Sequence, residues 1–220
     1  MRRVVTPELL DSDAGTPAEI SASLGDLARI HRWFGGVSSS EALVRRVAER
    51  SGKRELSLLD VASGSGELPS AVREQLIPQG IAIEVTLLDR AAAHLNGAAN
   101  TVVGDALAIP FQDQQFDLVS SSLFVHHLDP PEVAHFAKEA LRVARIAVLI
   151  NDLRRSRLHL VAAYAGWPLF RSRLTRHDAP ASVRRAYTAD ELGGLLEQTP
   201  AARVEITKHF LFRMGAILWK

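Results

Sequence analysis

Apolar and polar residues follow two different rhythms along this chain, and the change from one to the other divides it. From Thr16, apolar residues recur at Ile20, Leu24, Leu27, Ile30 and Phe34, near the 3.6-residue period of a helix with one buried face. Thr16 offers an N-cap, Pro17 the first helical position and Glu19 the returning carboxylate of a capping box, and Gly35-Gly36 stops the run. A second helix is predicted from Ser38, with Glu41 closing a capping box, Leu43, Val44, Val47 and Ala48 on its apolar face and Gly52 at its end. After that the pattern alternates. Buried strands are predicted at 56–61, 81–88, 101–103, 116–121 and 145–151, with helical stretches between them, one opened by Asp129-Pro130-Pro131-Glu132. Strands separated by helices imply a parallel sheet with right-handed crossovers. Thr188 and Glu191 cap a last helix, and two strand-like runs, 203–212 and 214–219, follow with almost no gap. A parallel connection needs about a dozen residues, so the sheet should finish with an antiparallel member. The expected fold class is α/β: a doubly wound, mostly parallel seven-stranded sheet with an antiparallel last strand, N-terminal helices and a helical insertion.

Ligands of such a sheet bind at the carboxyl ends of the strands, and three strand ends carry chemistry. The first is Asp60-Val61-Ala62-Ser63-Gly64-Ser65-Gly66, a small-residue turn that lets backbone approach a ligand closely. The second is Asp89, followed by Arg90, 23 residues after Gly66 and close to the ~20-residue offset at which a carboxylate takes both ribose hydroxyls. The third is Gly104-Asp105-Ala106, where a carboxylate meets an adenine amino group. Together they point to an adenosine-containing ligand. A nicotinamide dinucleotide is the main rival, but Pro69 stands where its G-x-G-x-x-G fingerprint has the third glycine. Asp60 would also repel a pyrophosphate, whereas it suits a ligand with an ammonium and a sulfonium.

These residues resemble the first motif of class I S-adenosylmethionine-dependent methyltransferases. Gly104-Asp105-Ala106, Ile109-Pro110-Phe111, Phe116-Asp117-Leu118-Val119 and Glu139-Ala140-Leu141-Arg142-Val143 are similar to the ubiquinone/menaquinone-biosynthesis methyltransferase group. The resemblance runs from about Leu56 to Asp152. It implies S-adenosyl-L-methionine as cofactor, with Gly64 and Ser65 at its methionine part, Asp89 at the ribose, Asp105 and Ala106 at the adenine, and Ser122 beneath the sulfonium. The expected cofactor set is therefore Asp60, Ala62, Ser63, Gly64, Ser65, Gly66, Asp89, Arg90, Gly104, Asp105, Ala106 and Ser122. Ala62 stands where the family has its first glycine, a position expected to need only a conformation that alanine adopts. The usual Pro-Gly-Gly turn before the fifth strand is absent. One domain is expected over 1–220: a helical lid (1–52), the cofactor-binding half (53–151), a helical cover (152–187) and a closing helix and strand pair (188–220).

The acceptor side is less sharply written. His126-His127 follow Ser122, and a histidine there is a candidate base for an acceptor hydroxyl, with one of the pair facing inward and the other outward. Between Arg154 and Arg185 stand eight arginines and a single acid, Asp178, interleaved with apolar residues. Arg154, His177 and Tyr187 are candidate acceptor contacts in this cover. The expected reaction is O-methylation of a hydroxylated aromatic, quinone- or polyketide-like small molecule. C- or N-methylation, non-catalytic cofactor binding and, last, an NAD-dependent oxidoreductase are the alternatives. Asp129-Pro130-Pro131-Glu132 echoes a nucleic-acid methylase motif without its aromatic residue and is explained by helix initiation. A net charge of +1 gives no pull toward nucleic acid or membrane. With no cysteine, thiolate nucleophiles and Cys-ligated metals are excluded, and the eight histidines show no H-x-x-x-H or H-E-x-x-H spacing, so no metal site is expected. Without an apolar leader or membrane-length run, the expected location is cytoplasmic. The partner is a small-molecule acceptor, and the oligomeric state stays open.

Overall fold

The computed structural model describes residues 1–12, 14–95 and 100–220. Its seven-stranded sheet runs β3-β2-β1-β4-β5-β7-β6. The strands are β1 (Glu55–Val61), β2 (Ala82–Asp89), β3 (Thr101–Val103), β4 (Phe116–Ser122), β5 (Ala144–Leu153), β6 (Arg203–His209) and β7 (Arg213–Trp219). Strands β1 to β5 pair with one another in parallel, and β7 lies antiparallel between β5 and β6. Helices α1 (Pro17–Trp33), α2 (Gly36–Ser51), α3 (Glu67–Leu76), α4 (Pro130–Val143), α5 (Arg157–Ala165), α6 (Arg173–Arg185) and α7 (Ala189–Leu196) complete the chain.

Alternation along the strands explains the two helical layers. In β1, Leu59 and Val61 enter one core with Phe136 of α4 and Leu192 of α7, while Leu56 and Leu58 enter the other with Val44 of α2 and Val72 of α3. A sheet buried on both faces has near-continuous apolar strands, as β1 and β5 do. Strand order reverses between β1 and β4, and the crevice beyond their carboxyl ends is where such a sheet takes a ligand.

Three helix starts lie where local chemistry sets them: Thr16 with Glu19, Asp129 with Glu132, and Thr188 with Glu191 each form a reciprocal capping box. The second helix differs from expectation. It begins at Gly36 rather than after Ser38, because Gly35 adopts φ 78° and turns the chain in without a side-chain cap. The hydroxyls of Ser38 and Ser39 donate to the Gly35 carbonyl, and Glu41 accepts from Gln79 instead of closing a box. Strand β5 is longer than predicted, which puts Asp152 on the sheet. Strand β6 ends earlier, at His209, and Leu211 and Phe212 turn the hairpin at φ 50° and 66°.

The cover consists of two unlike helices. Helix α6 buries Leu174, Ala181 and Val183 and docks on α1. There the Ser23 and Thr175 hydroxyls lie 3.0 Å apart, and Asp26 accepts from the Arg171 and Ser172 amides at 2.9 Å. Helix α5 buries only Ala163 and leaves Leu158 and Val161 exposed. An N-terminal strap, residues 1–12, lies along α6. The amide of Val4 donates to the Arg184 carbonyl, and the amides of Leu9 and Leu10 donate to the two carboxylate oxygens of Asp178. Among the described residues no helix is long and apolar enough to cross a membrane.

Candidate active site

A cavity of 1410 Å³ opens at the carboxyl ends of β1, β2, β4 and β5, walled by the strap, α1, α5 and α6. That volume exceeds the ~300–1,000 Å³ of a single small-ligand pocket, so it has room for two ligands. Every residue of the expected cofactor set lines it except Gly66, which sits behind the turn, where a Cβ would come within 2.4 Å of Leu87.

The turn after β1 is held by its own amides and by β2. Ser63 N–H donates to the Leu88 carbonyl and Gly64 N–H to Asp89 Oδ2 at 2.8 Å. The other Asp89 oxygen accepts from Ala91 N–H at 2.9 Å, so the carboxylate is fixed at the strand end facing the cavity. Asp60 is buried and accepts from the Ser120 hydroxyl at 2.5 Å. Burial pushes its carboxyl up to about 7; the Ser120 bond acts against this and the Asp89 charge adds to it. Asp105 accepts from Leu107 N–H and stays exposed at the rim, beside buried Ala106. The hydroxyls of Ser63 and Ser122 are buried without a hydrogen-bond partner among the described residues.

Ala62 corrects the sequence reading. It sits at φ 56°, the left-handed region that costs an L-residue roughly 1–2 kcal/mol. Part of this is recovered in the unfolded state, where glycine is about 0.5–1 kcal/mol more costly to order than alanine. Ala62→Gly is therefore expected to raise the stability of the ligand-free protein by roughly 0.5–1 kcal/mol. Thermal denaturation tests this, and an unchanged or lowered midpoint would show that the turn holds alanine without strain.

At the other end, His126 and His127 occupy a short helical turn after β4, their ring centroids 4.1 Å apart. His126 faces inward and is 2% exposed, while His127 reaches the rim. Asp152 grips His126 twice, accepting from its amide at 2.9 Å and pairing with Nδ1 at 2.7 Å. The Glu8 carboxylate stands 3.6 Å from the opposite nitrogen, Nε2. Burial alone would lower this imidazole, but Asp152 and Glu8 carry it up to about 10, so it is protonated at neutral pH and is no resting base. His127 Nδ1 pairs with Asp11 at 2.9 Å, and its Nε2 lies 3.9 Å from Glu8.

The three expected acceptor contacts in the cover lie outside the cavity wall. Tyr187 is buried, its hydroxyl donates to the Leu128 carbonyl, and the Arg3 guanidinium covers its ring at 4.4 Å. His177 faces outward and pairs with Asp178, and it is Asp178 that reaches the cavity. Arg154 is held by its amide on the Phe212 carbonyl, with its side chain away from the cavity wall. Two other arginines take their place, Arg185 and Arg213. Arg213 is 1% exposed, with both terminal nitrogens lacking a hydrogen-bond partner among the described residues. Beside it His159 stacks on Phe212 at 4.8 Å, kept neutral chiefly by burial, which lowers it to about 4. Sequence reasoning missed Glu8, Asp152, His159 and Arg213.

A family described as a methyltransferase domain matches residues 59–147. Over 150 residues the chain is 28% identical to a ubiquinone/menaquinone biosynthesis C-methyltransferase of Roseobacter denitrificans. That alignment covers 64% of this chain and 56% of the relative, so the chain spans about half the length of the curated relative it matches. Among solved structures, the plantazolicin methyltransferase BpumL in complex with SAH superimposes with a TM-score of 0.73 at 14% identity, over 97% of this chain and 94% of that one. A SAM-dependent methyltransferase from Aquifex aeolicus gives 0.63 at 19%, over 93% and 98%. Residues 59–147 thus match a methyltransferase-domain family, and the fold that carries them is shared with solved S-adenosylmethionine-dependent methyltransferases.

Proposed function

We propose that the chain methylates a hydroxyl oxygen of a small molecule, aromatic, quinone- or polyketide-like, with S-adenosyl-L-methionine as donor. The observation that carries this reading is the single cavity with two chemically different ends, carboxylates and small-residue turns at one and histidines with carboxylates at the other. The residues present fit the cofactor: the unpartnered Ser63 and Ser122 hydroxyls and the buried Asp60 carboxyl are groups that a polar, cationic ligand would satisfy. Asp60 would hold the ammonium, Asp89 the ribose hydroxyls, Asp105 and Ala106 the adenine edge, and Ser122 the floor beside the sulfonium. The bound cofactor supplies an activated methyl group.

The chain's own contribution is positioning. Holding acceptor and methyl in near-attack geometry is worth roughly 7–11 kcal/mol of barrier. Leu24, Leu27 and Ala28 of α1, with Phe170 of the cover, supply the apolar wall that excludes water. The histidine edge faces the acceptor, and His127 at the rim, rather than the already protonated His126, is its member placed to take the proton that an acceptor hydroxyl must lose. Carbon methylation is the second reading, favoured by the similarity to a C-methyltransferase. We place the protein in the cytoplasm, with a small-molecule acceptor and no nucleic-acid partner.

Calorimetry tests the cofactor. S-adenosylmethionine and S-adenosylhomocysteine are expected to bind at micromolar concentration and NAD not at all. Comparable affinity for NAD would overturn the proposal, and binding without methyl transfer to any oxygen, carbon or nitrogen acceptor would leave only a cofactor-binding protein.

A further inference from the structure

Glu8, His126 and His127 form a cluster that the adenosine-binding half of the site does not use. Their nearest ligand atoms all lie within 4.8 Å of one another. His126 Nε2 and Glu8 Oε1 face each other at 3.6 Å, too far for a hydrogen bond, and both are buried without a hydrogen-bond partner among the described residues. Two ligands about 2.1 Å from one tetrahedral ion stand about 3.4 Å apart. Each imidazole also has its far nitrogen on a carboxylate, His126 Nδ1 on Asp152 and His127 Nδ1 on Asp11. That outer pair turns both Nε2 atoms toward Glu8, the support that metal-bound histidines have. Three carboxylates thus converge on two imidazoles, with Arg185 lying 3.5 Å from Asp11 and the buried Arg213 guanidinium acting on Asp152.

From this geometry we infer that Glu8, His126 and His127 bind a divalent transition-metal ion of the zinc kind at the acceptor end of the cavity. Two imidazoles and one carboxylate suit zinc and its neighbours, whereas magnesium and calcium prefer all-oxygen sites. Three protein ligands leave a position open, and because the cluster lines the cavity that position faces the acceptor. Given the oxygen methylation proposed above, on which this role rests, an acceptor hydroxyl on the ion would be polarised and would release its proton to solvent more readily. Binding of the ion would displace the proton from His126 Nε2, since the ligand is the neutral imidazole. The metal site escaped the sequence because Glu8 lies 118 residues before His126 and the two histidines are adjacent rather than a helical turn apart.

The test is metal binding by the full chain after treatment with a chelator and buffer exchange. One Zn²⁺ per chain is expected in calorimetry, not displaced by excess Mg²⁺ or Ca²⁺, and Co²⁺ in the same site should give visible d–d absorption. Glu8→Gln should weaken Zn²⁺ at least a hundredfold. Asp11→Asn, which removes the outer support of His127 and a charge beside Arg185 but no proposed ligand, should weaken it roughly ten- to a hundredfold. Both variants should bind S-adenosylhomocysteine like the parent, which separates this result from failure of the cofactor assignment. No uptake of Zn²⁺, or uptake unaltered in Glu8→Gln, would overturn the site and leave His126 as a buried imidazolium between two carboxylates.

Discussion

Asp89→Ala is expected to weaken S-adenosylhomocysteine binding by about 2–4 kcal/mol, roughly thirty- to nearly a thousandfold. A carboxylate that accepts two hydroxyls makes charge-assisted bonds, each stronger than a neutral one. The structure adds a second loss. Because Asp89 already accepts from the amides of Gly64 and Ala91, its removal leaves both donors short of a partner. The ligand-free protein should therefore lose stability as well, by about 1–3 kcal/mol. Calorimetry and thermal denaturation of the same variant read the two effects separately. Unchanged affinity would mean that the end of β2 does not face the ribose.

Affinity for S-adenosylhomocysteine is expected to rise about tenfold from pH 6 to pH 8, because a carboxyl titrating near 7 must ionise to meet an ammonium. Binding near neutrality should then release protons, seen as a binding enthalpy that depends on the buffer. The sign for folding is opposite. Asp60 is raised from 3.8 to about 7 in the folded state, so burying it is tolerated fully below 3.8 and becomes costly as pH rises through 7. About three pH units correspond to roughly 4 kcal/mol at most. Asp60→Asn should flatten the pH dependence of binding, weaken binding at pH 8 and stabilise the ligand-free protein there. A parent protein whose affinity is flat between pH 6 and 8 would show that Asp60 is ionised throughout or is not beside the ligand.

What was legible in the sequence was local. A capping box spans four residues, and the three formed by Thr16, Asp129 and Thr188 follow from side chains that reach their own helix starts. The candidate cofactor end is equally local, since Asp60, Asp89 and Asp105 lie at or just beyond strand ends and strand ends share one edge of a parallel sheet. The errors came where backbone conformation or long-range contact decides. Gly35 opens α2 through a positive φ, which Ser38 and Glu41 masked with a plausible capping pattern. Tyr187 carries the same hydroxyl whether it meets a ligand or the Leu128 carbonyl. Around His126 the partners come from the strap and β5, and no periodicity connects Glu8 and Asp152 to it.

The strap along α6 has a mechanical consequence. Arg3 donates to the Arg185 carbonyl and Arg155 to Met1, while Asp178 holds the amides of Leu9 and Leu10. Fastened to α6 at Arg184, Arg185 and Asp178, and to the segment after β5 through Arg155, the strap and α6 must travel together, so any movement that carries Glu8 away from the histidines also strains the seam between α6 and α1. Helix α5 is held more lightly, with Ala163 as its one buried residue, the Tyr164 hydroxyl accepting from Arg184 of α6 and His159 stacked on Phe212. Motion at this rim is therefore expected to fall on α5 before it reaches the strap and α6, a difference that amide hydrogen exchange would read.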